Sequence, residues 1–227
     1  MHPSAYYVES IARGCRFKIT RRLATRDPVD VWPELKQITI ECKPFASRLG
    51  NIAMYELQVL CAVAKQMGAR RLFEFGTFNG LTTWHLAANC GSAAQVFTLD
   101  LPLDHPARFA NGRDHTVDTS NAIVLGEHFQ STLERVQVIQ IYAESLAFDG
   151  TSYRGSFDFC FIDASHEYHH VCRDTENALA MVRPGGVIFW HDYSRWWPGV
   201  QRSLDDLSKT FPVFRVANTS LASLIVP

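Results

Sequence analysis

From residue 54 onward the chain alternates between two hydrophobic periods. Met54 to Met67 places Leu57, Leu60, Cys61 and Ala64 at helical spacing and runs into Gly68, a helix stop. Arg71 to Phe75 then reads as a strand, Leu81 to Asn89 as a helix and Gln95 to Asp100 as a strand. Residues 101 to 119 are polar and turn-rich, a surface connection, and Ser120 to Phe129 is expected to be helical. The stretch VQVIQIY, Val136 to Tyr142, is a strand. So is Phe157 to Asp163, whose unbroken apolar run suits a strand covered on both faces. His169 to Met181 is a helix stopped by Pro184-Gly185-Gly186, followed by a strand at Gly186 to Trp190 and a helix at Gly199 to Lys209. Val213 to Val216 and Leu221 to Val226 are too close for a helical crossover and are expected to form an antiparallel hairpin. Alternating strands and helices predict an α/β fold: a doubly wound, mostly parallel sheet of seven strands that ends in that hairpin. Residues 1–50, broken by Pro28, Pro33 and Pro44, read as an N-terminal extension, helical and packed on a core domain of residues 51–227.

Length and composition narrow the class. The chain has 227 residues, 47% of them hydrophobic, which suits one sizeable core. A net charge of -1 gives no general reason to expect a nucleic-acid partner. The basic residues near the start (Arg13, Arg16, Lys18, Arg21, Arg22, Arg26) read as a solvated face. No apolar run reaches the roughly 18 residues of a membrane span, and the first residues do not read as a secretory signal. The six cysteines are scattered without a CxxC pair, and Cys160 lies in an apolar run, a usage that fits a reducing, cytoplasmic setting.

Candidate chemistry collects at the carboxyl ends of the predicted parallel strands, where open α/β sheets bind ligands. The first strand end supplies Glu74, Gly76 and Gly80; the second, Asp100; the third, Glu144 and Ser145. The fourth supplies Asp163 and, three residues on, His166; the fifth, His191, Asp192 and Tyr193. The turn EFGTFNG is not the GxGxxG of a dinucleotide site, since Phe78 stands at the middle position. Its two glycines would let the backbone approach a ligand closely. Asp100 can accept hydrogen bonds from ribose hydroxyls, which points to a nucleoside cofactor without saying which one.

EFGTFNG, then FTLD, then FDFCFIDASHEYHH, then RPGGVIFWHDY resembles the S-adenosylmethionine-dependent methyltransferases of Rossmann-like fold. The nearest groups are the catechol- and caffeoyl-CoA-type O-methyltransferases and the methyltransferase 24 group, in which an aromatic at the position of Phe78 is expected. The resemblance covers about residues 50–200 and implies methylation of a small-molecule hydroxyl, with S-adenosyl-L-methionine as cofactor. It places Glu74 and Gly76 near the methionine part of the cofactor, Asp100 at the ribose, and Glu144 or Ser145 near the adenine, and counts Thr77, Phe78, Gly80 and Asp163 among the cofactor-binding residues. Asp163 and Asp192 match two acids that bind a divalent cation such as Mg or Mn. His166 stands where those enzymes carry a catalytic base. Tyr193 departs from the pattern, because that position is usually Asn or Asp and a neutral phenol is a poor magnesium ligand. His191 or His166 can complete the site instead, and imidazole favours a softer ion. His191 is also the competing candidate for the base.

Such a base is matched to neutral pH, and a cation would lower the pKa of the acceptor hydroxyl. The implied partner is a small-molecule acceptor; a homodimer is admitted, and neither nucleic acid nor membrane is expected. Trp196 and Trp197, in SRWWPGV, either cap the core or wall the acceptor pocket, while His85, His169 and His170 read as structural or solvated. Three rival readings remain: an NAD-dependent oxidoreductase, a non-haem metal oxygenase built on the His and Asp cluster, and a non-catalytic cofactor-binding protein.

Overall fold

A computed structural model describes residues 23–45, 48–102, 104–105 and 124–227. Among them, eight strands form one sheet in the order β1-β7-β8-β6-β5-β2-β3-β4. The strands are β1 (Ala24–Arg26), β2 (Arg71–Phe75), β3 (Gln95–Asp100), β4 (Val138–Tyr142), β5 (Phe157–Ile162), β6 (Val182–Trp190), β7 (Phe214–Val216) and β8 (Ala222–Ile225). The helices are α1 (Pro28–Val31), α2 (Met54–Gln66), α3 (Leu81–Asn89), α4 (Glu127–Gln130), α5 (Tyr168–Met181) and α6 (Pro198–Leu207). Strands β4, β3, β2, β5 and β6 are parallel, and β8 runs antiparallel to both β6 and β7, the expected hairpin.

The expectation of seven strands is corrected to eight. Ala24–Arg26 adds an edge strand parallel to β7, pairing Ala24 with Phe214 and Arg26 with Val216. The described part of the N-terminal fifty residues otherwise holds only the four-residue α1 and a 3-10 turn at Pro33–Gln37; residues 1–22 lie outside the described chain. The helix expected at Ser120 to Phe129 falls partly outside it too, and what is described is the short α4. Residues Leu133–Gln137 make a 3-10 turn, so β4 starts at Val138. Helix α5 gives way to β6 at Val182, before the Pro-Gly-Gly sequence, and the β5–β6 register shifts between Phe157 and Phe159 to absorb it.

Two apolar layers sandwich the sheet. Phe159, Phe161, Leu72, Val96 and Phe189 pack with Leu57, Leu60 and Val63 of α2 and Leu86 of α3. Phe73, Phe75, Cys160, Ile162 and Trp190 pack with Val171 and Leu179 of α5 and Leu204 and Leu207 of α6. Successive β5 residues alternate between the two layers, as the period of two requires, and both layers are apolar because helices cover both faces. The carboxyl ends of β2, β3, β4, β5 and β6 therefore share one rim, which carries the candidate site.

Candidate active site

The turn after β2 is built by packing and by one carboxylate. Gly76 has φ +93°, and a Cβ there would lie 2.1 Å from the Asp163 carbonyl oxygen at the end of β5. Gly80, at φ +79°, opens α3, and its missing Cβ makes room for the Phe129 ring. These glycines thus let backbone approach β5 and α4, where the sequence suggested close approach to a ligand. Asp100 Oδ2 accepts from the Thr77 and Phe78 amides, both at 2.9 Å, and Oδ1 accepts from the Leu101 amide at 2.7 Å. The acid that ends β3 so fixes the turn that follows β2. Phe78 is held at φ 49°, a left-handed conformation that costs a non-glycine residue about 1–2 kcal/mol.

Glu74 lies beneath this turn. It points to the same face of β2 as Leu72, 2% exposed, and accepts from the Thr83 hydroxyl of α3 and from Thr98 Oγ1 at 3.2 Å. Burial pushes its pKa up to about 8, so it is a largely neutral acid at pH 7. The hydroxyls of Thr77 and Thr98 are 2.7 Å apart, and Gln140 Nε2 donates to Thr77 Oγ1 at 2.9 Å. At the end of β4, Glu144 is exposed and Ser145 is buried. Behind Ser145 sits Asp174 of α5, fully buried, with neither oxygen in a hydrogen bond of good geometry among the described residues. Its burial raises its pKa to about 7, against smaller opposing pulls from Ser145 and Arg173.

At the other end of the rim, β5 and β6 deliver charge. Asp163, His191 and Asp192 each bring a ligand atom within 4.8 Å of the others. His191 Nδ1 lies 3.1 Å from Asp163 Oδ1 and 3.3 Å from Asp192 Oδ2; its Nε2 lies 3.1 Å from Glu56 Oε2. His166 Nε2 is 2.8 Å from Asp192 Oδ2, and its ring stacks on Trp197 with centroids 3.7 Å apart. Gly199, at the start of α6, lets that stack form, because a Cβ there would lie 2.2 Å from the His166 carbonyl oxygen. Burial opposes charge on His191, but three carboxylates outweigh it and hold its pKa well above the usual range. Asp192 is partly buried, which opposes its charge, yet the two histidines hold it below the usual carboxylate range. Asp192 also has φ 60°, a second left-handed non-glycine residue, placed at the centre of the cluster.

The left-handed turn at Asp192 sends Tyr193 inward. Its hydroxyl donates to Asp205 Oδ1 at 2.7 Å and accepts from the Leu23 amide at 3.1 Å, so it ties α6 to the N-terminal segment and takes no part in the rim. Glu56, from the first turn of α2, supplies the third acid instead. Sequence reasoning missed it, although a signal existed: Glu56, Leu60 and Val63 share one helical stripe, all buried, and an acid on an apolar stripe needs a partner. Trp197 both packs on the core and faces His166, while Trp196 is 74% exposed with the Arg195 guanidinium 4.7 Å over its ring. His85 is structural, as expected: it bonds the Leu81 carbonyl and the Lys43 amide.

A doubly wound sheet, an acid-tied glycine turn and an adjoining acid–histidine cluster suit an enzyme that uses a nucleoside cofactor. The chain belongs to the family described as methyltransferase domain, which matches residues 73–193. No curated protein matches the sequence significantly. Among solved structures, the chain is similar to the SAH-bound methyltransferase PaMTH1 of Podospora anserina, with 13% identity, a TM-score of 0.57, and coverage of 98% of this chain and 96% of that one. It is similar to an O-methyltransferase from Bacillus cereus in complex with SAH, at 19% identity, a TM-score of 0.52 and 96% coverage of each chain. It also resembles the O-methyltransferase TomG of Streptomyces achromogenes, involved in tomaymycin synthesis and complexed with SAM, at 16% identity, a TM-score of 0.51, and coverage of 88% and 97%. No helix among the described residues is long and apolar enough to cross a membrane.

Proposed function

We propose that this methyltransferase transfers the methyl group of S-adenosylmethionine to a hydroxyl of a small molecule, with His166 as base. One observation carries the reading: the cofactor turn at Gly76 is seated directly on the backbone of Asp163, so the donor side and the acid–histidine cluster adjoin. Asp100 would hold the ribose with the accepting capacity its amide contacts leave, the turn it fixes would line the methionine portion, and the buried Ser145 would line the adenine side. His166 would receive the acceptor's proton at Nδ1, while its Nε2–H donates to Asp192, 2.8 Å away, whose carboxylate stabilises the imidazolium that forms. Trp197 fixes the ring plane. Alignment of acceptor and donor can supply roughly 7–11 kcal/mol of the barrier.

Asp163, Asp192 and His191 Nδ1 fit a divalent cation, and one imidazole among two carboxylates favours Mn, Fe or Zn over Mg. When bound, such an ion would lower the pKa of the acceptor hydroxyl. A second reading has its own support: His191, flanked by three carboxylates, itself supplies positive charge at this place. A cytoplasmic location is part of the proposal, supported by the free thiols of Cys42, Cys61, Cys90, Cys160 and Cys172.

Calorimetry with S-adenosylhomocysteine tests the cofactor, and heat from NAD with none from the adenosyl compound would overturn the reading in favour of an oxidoreductase. Activity that is lost in EDTA and restored by a divalent ion supports the cation. Full turnover after EDTA selects the metal-free reading.

A further inference from the structure

We propose that Glu56 is a positioning residue for His191: it holds the Nε2 edge of the ring, so that Nδ1 is presented between Asp163 and Asp192. The inference rests on reading the cluster as the methyl-transfer site, and goes beyond it by assigning a part to a residue of α2, an element that supplies none of the strand-end residues.

Four groups converge on this one side chain. Glu56 Oε1 accepts from the Ser220 amide at 2.5 Å and from the Ser220 hydroxyl at 2.8 Å. Oε2 accepts from the Ala53 amide at 3.2 Å and lies 3.1 Å from His191 Nε2. Glu56 is 6% exposed, so its carboxylate has little recourse to water. The Ala53 contact is explained by helix capping, in which an acid in the first turn accepts a free amide. The Ser220 contacts are explained as a tie to the turn between β7 and β8, whose Ser220 carbonyl also accepts from the Tyr193 amide at 2.8 Å. Neither role requires the contact to His191. Capping and the tie hold Glu56 from two sides, so its remaining capacity meets the imidazole in one fixed direction. A ring held at one nitrogen by a carboxylate presents the other nitrogen in a set orientation, which is the usual way a protein aims a histidine at a reacting group or an ion. Burial opposes ionisation of Glu56, but His191 and Ser220 outweigh it and keep the carboxylate charged.

The test compares Glu56→Gln with Ser220→Ala in the full chain. Glutamine keeps the size of the side chain and an acceptor oxygen but cannot accept from all four groups. Ser220→Ala loosens the hairpin tie and leaves the carboxylate on His191. Long-range proton–nitrogen correlation spectra of the imidazole rings give a readout that a structural role would not move. The His191 nitrogen resonances are expected to shift in Glu56→Gln and to stay in place in Ser220→Ala. Manganese binding, followed by electron paramagnetic resonance, is expected to weaken about 10–100-fold in Glu56→Gln, with S-adenosylhomocysteine affinity within about two-fold of the parent. Unshifted His191 resonances in Glu56→Gln overturn the proposal, and so does an equal shift in Ser220→Ala. A parent that binds no S-adenosylhomocysteine overturns the reading of the site, and the ring spectra still decide the part of Glu56.

Discussion

The two ends of the rim are built on different principles. At β2 and β3 the turn is held by backbone amides on Asp100 and by a buried set of threonine hydroxyls over a largely neutral Glu74. Those groups, together with Thr83 and Gln140, come from residues 74 to 140 and lie on neighbouring elements. At β5 and β6 the site is a balance of full charges: Glu56, Asp163 and Asp192 around His191, with His166 stacked on Trp197. Those groups span residues 56 to 197, and Glu56 is tied further to Ser220. The contrast has a physical sense. A cofactor shared by a whole family can be gripped by backbone and small hydroxyls, which are fixed and need no counter-charge. A group that takes a proton must change charge, and inside a protein that demands opposite charges already in place.

The sharpest way to break the contrast is to remove the proposed proton acceptor. His166→Ala is expected to lower kcat by roughly 10²–10⁴-fold, the usual worth of a positioned base. S-adenosylhomocysteine affinity should hardly change, since the imidazole lies in the charged half. If His166→Ala keeps its turnover while His191→Ala loses it, the base is His191.

Gly76→Ala strikes the seam between the halves. It adds a Cβ 2.1 Å from the Asp163 oxygen at φ +93°. Overpacking and the left-handed backbone together should cost about 2–5 kcal/mol, measured by urea unfolding. A loss below about 1 kcal/mol would mean that the turn is not seated on β5.

Asp174→Asn sharpens the comparison on the neutral side. The folded pKa of Asp174 is raised by burial to about 7 from a usual 3.8. A raised carboxyl pKa means that the folded state holds the proton more tightly than the unfolded state. The group therefore destabilises progressively as pH rises from about 4 to 7, and the penalty is constant above that. The variant should be more stable than the parent by about 2–4 kcal/mol at pH 8, with the difference shrinking toward pH 4. Glu74 titrates in the same direction. A gap that does not vary with pH would show that Asp174 is not a proton-holding group.

Much of this was legible before the fold was known. The unbroken apolar run of β5, the alternation of strands and helices and the close pair β7 and β8 gave the architecture, because hydrophobic period follows from backbone geometry. The strand-end rule brought Asp100, Asp163, His166, His191 and Asp192 to one rim. The β1 strand was hidden, since three exposed residues, Ala24 to Arg26, carry no pattern and are a strand only because β7 offers an edge. Tyr193 was placed on the rim by its neighbours in sequence, and left-handed backbone at Asp192 turned it into the core.

The sequence by itself determined which residue types reach the rim and in what order, because strand and turn signals are local. Only the tertiary structure decided their partners. It set Glu56 against His191, 135 positions away, and it turned the two motif glycines toward Asp163 and Phe129. It also buried Asp174 behind Ser145, with neither oxygen in a hydrogen bond of good geometry among the described residues. Contacts of that range are fixed when helices dock on a sheet, where burial and charge balance are satisfied across the whole layer and leave almost no trace in any one stretch of chain.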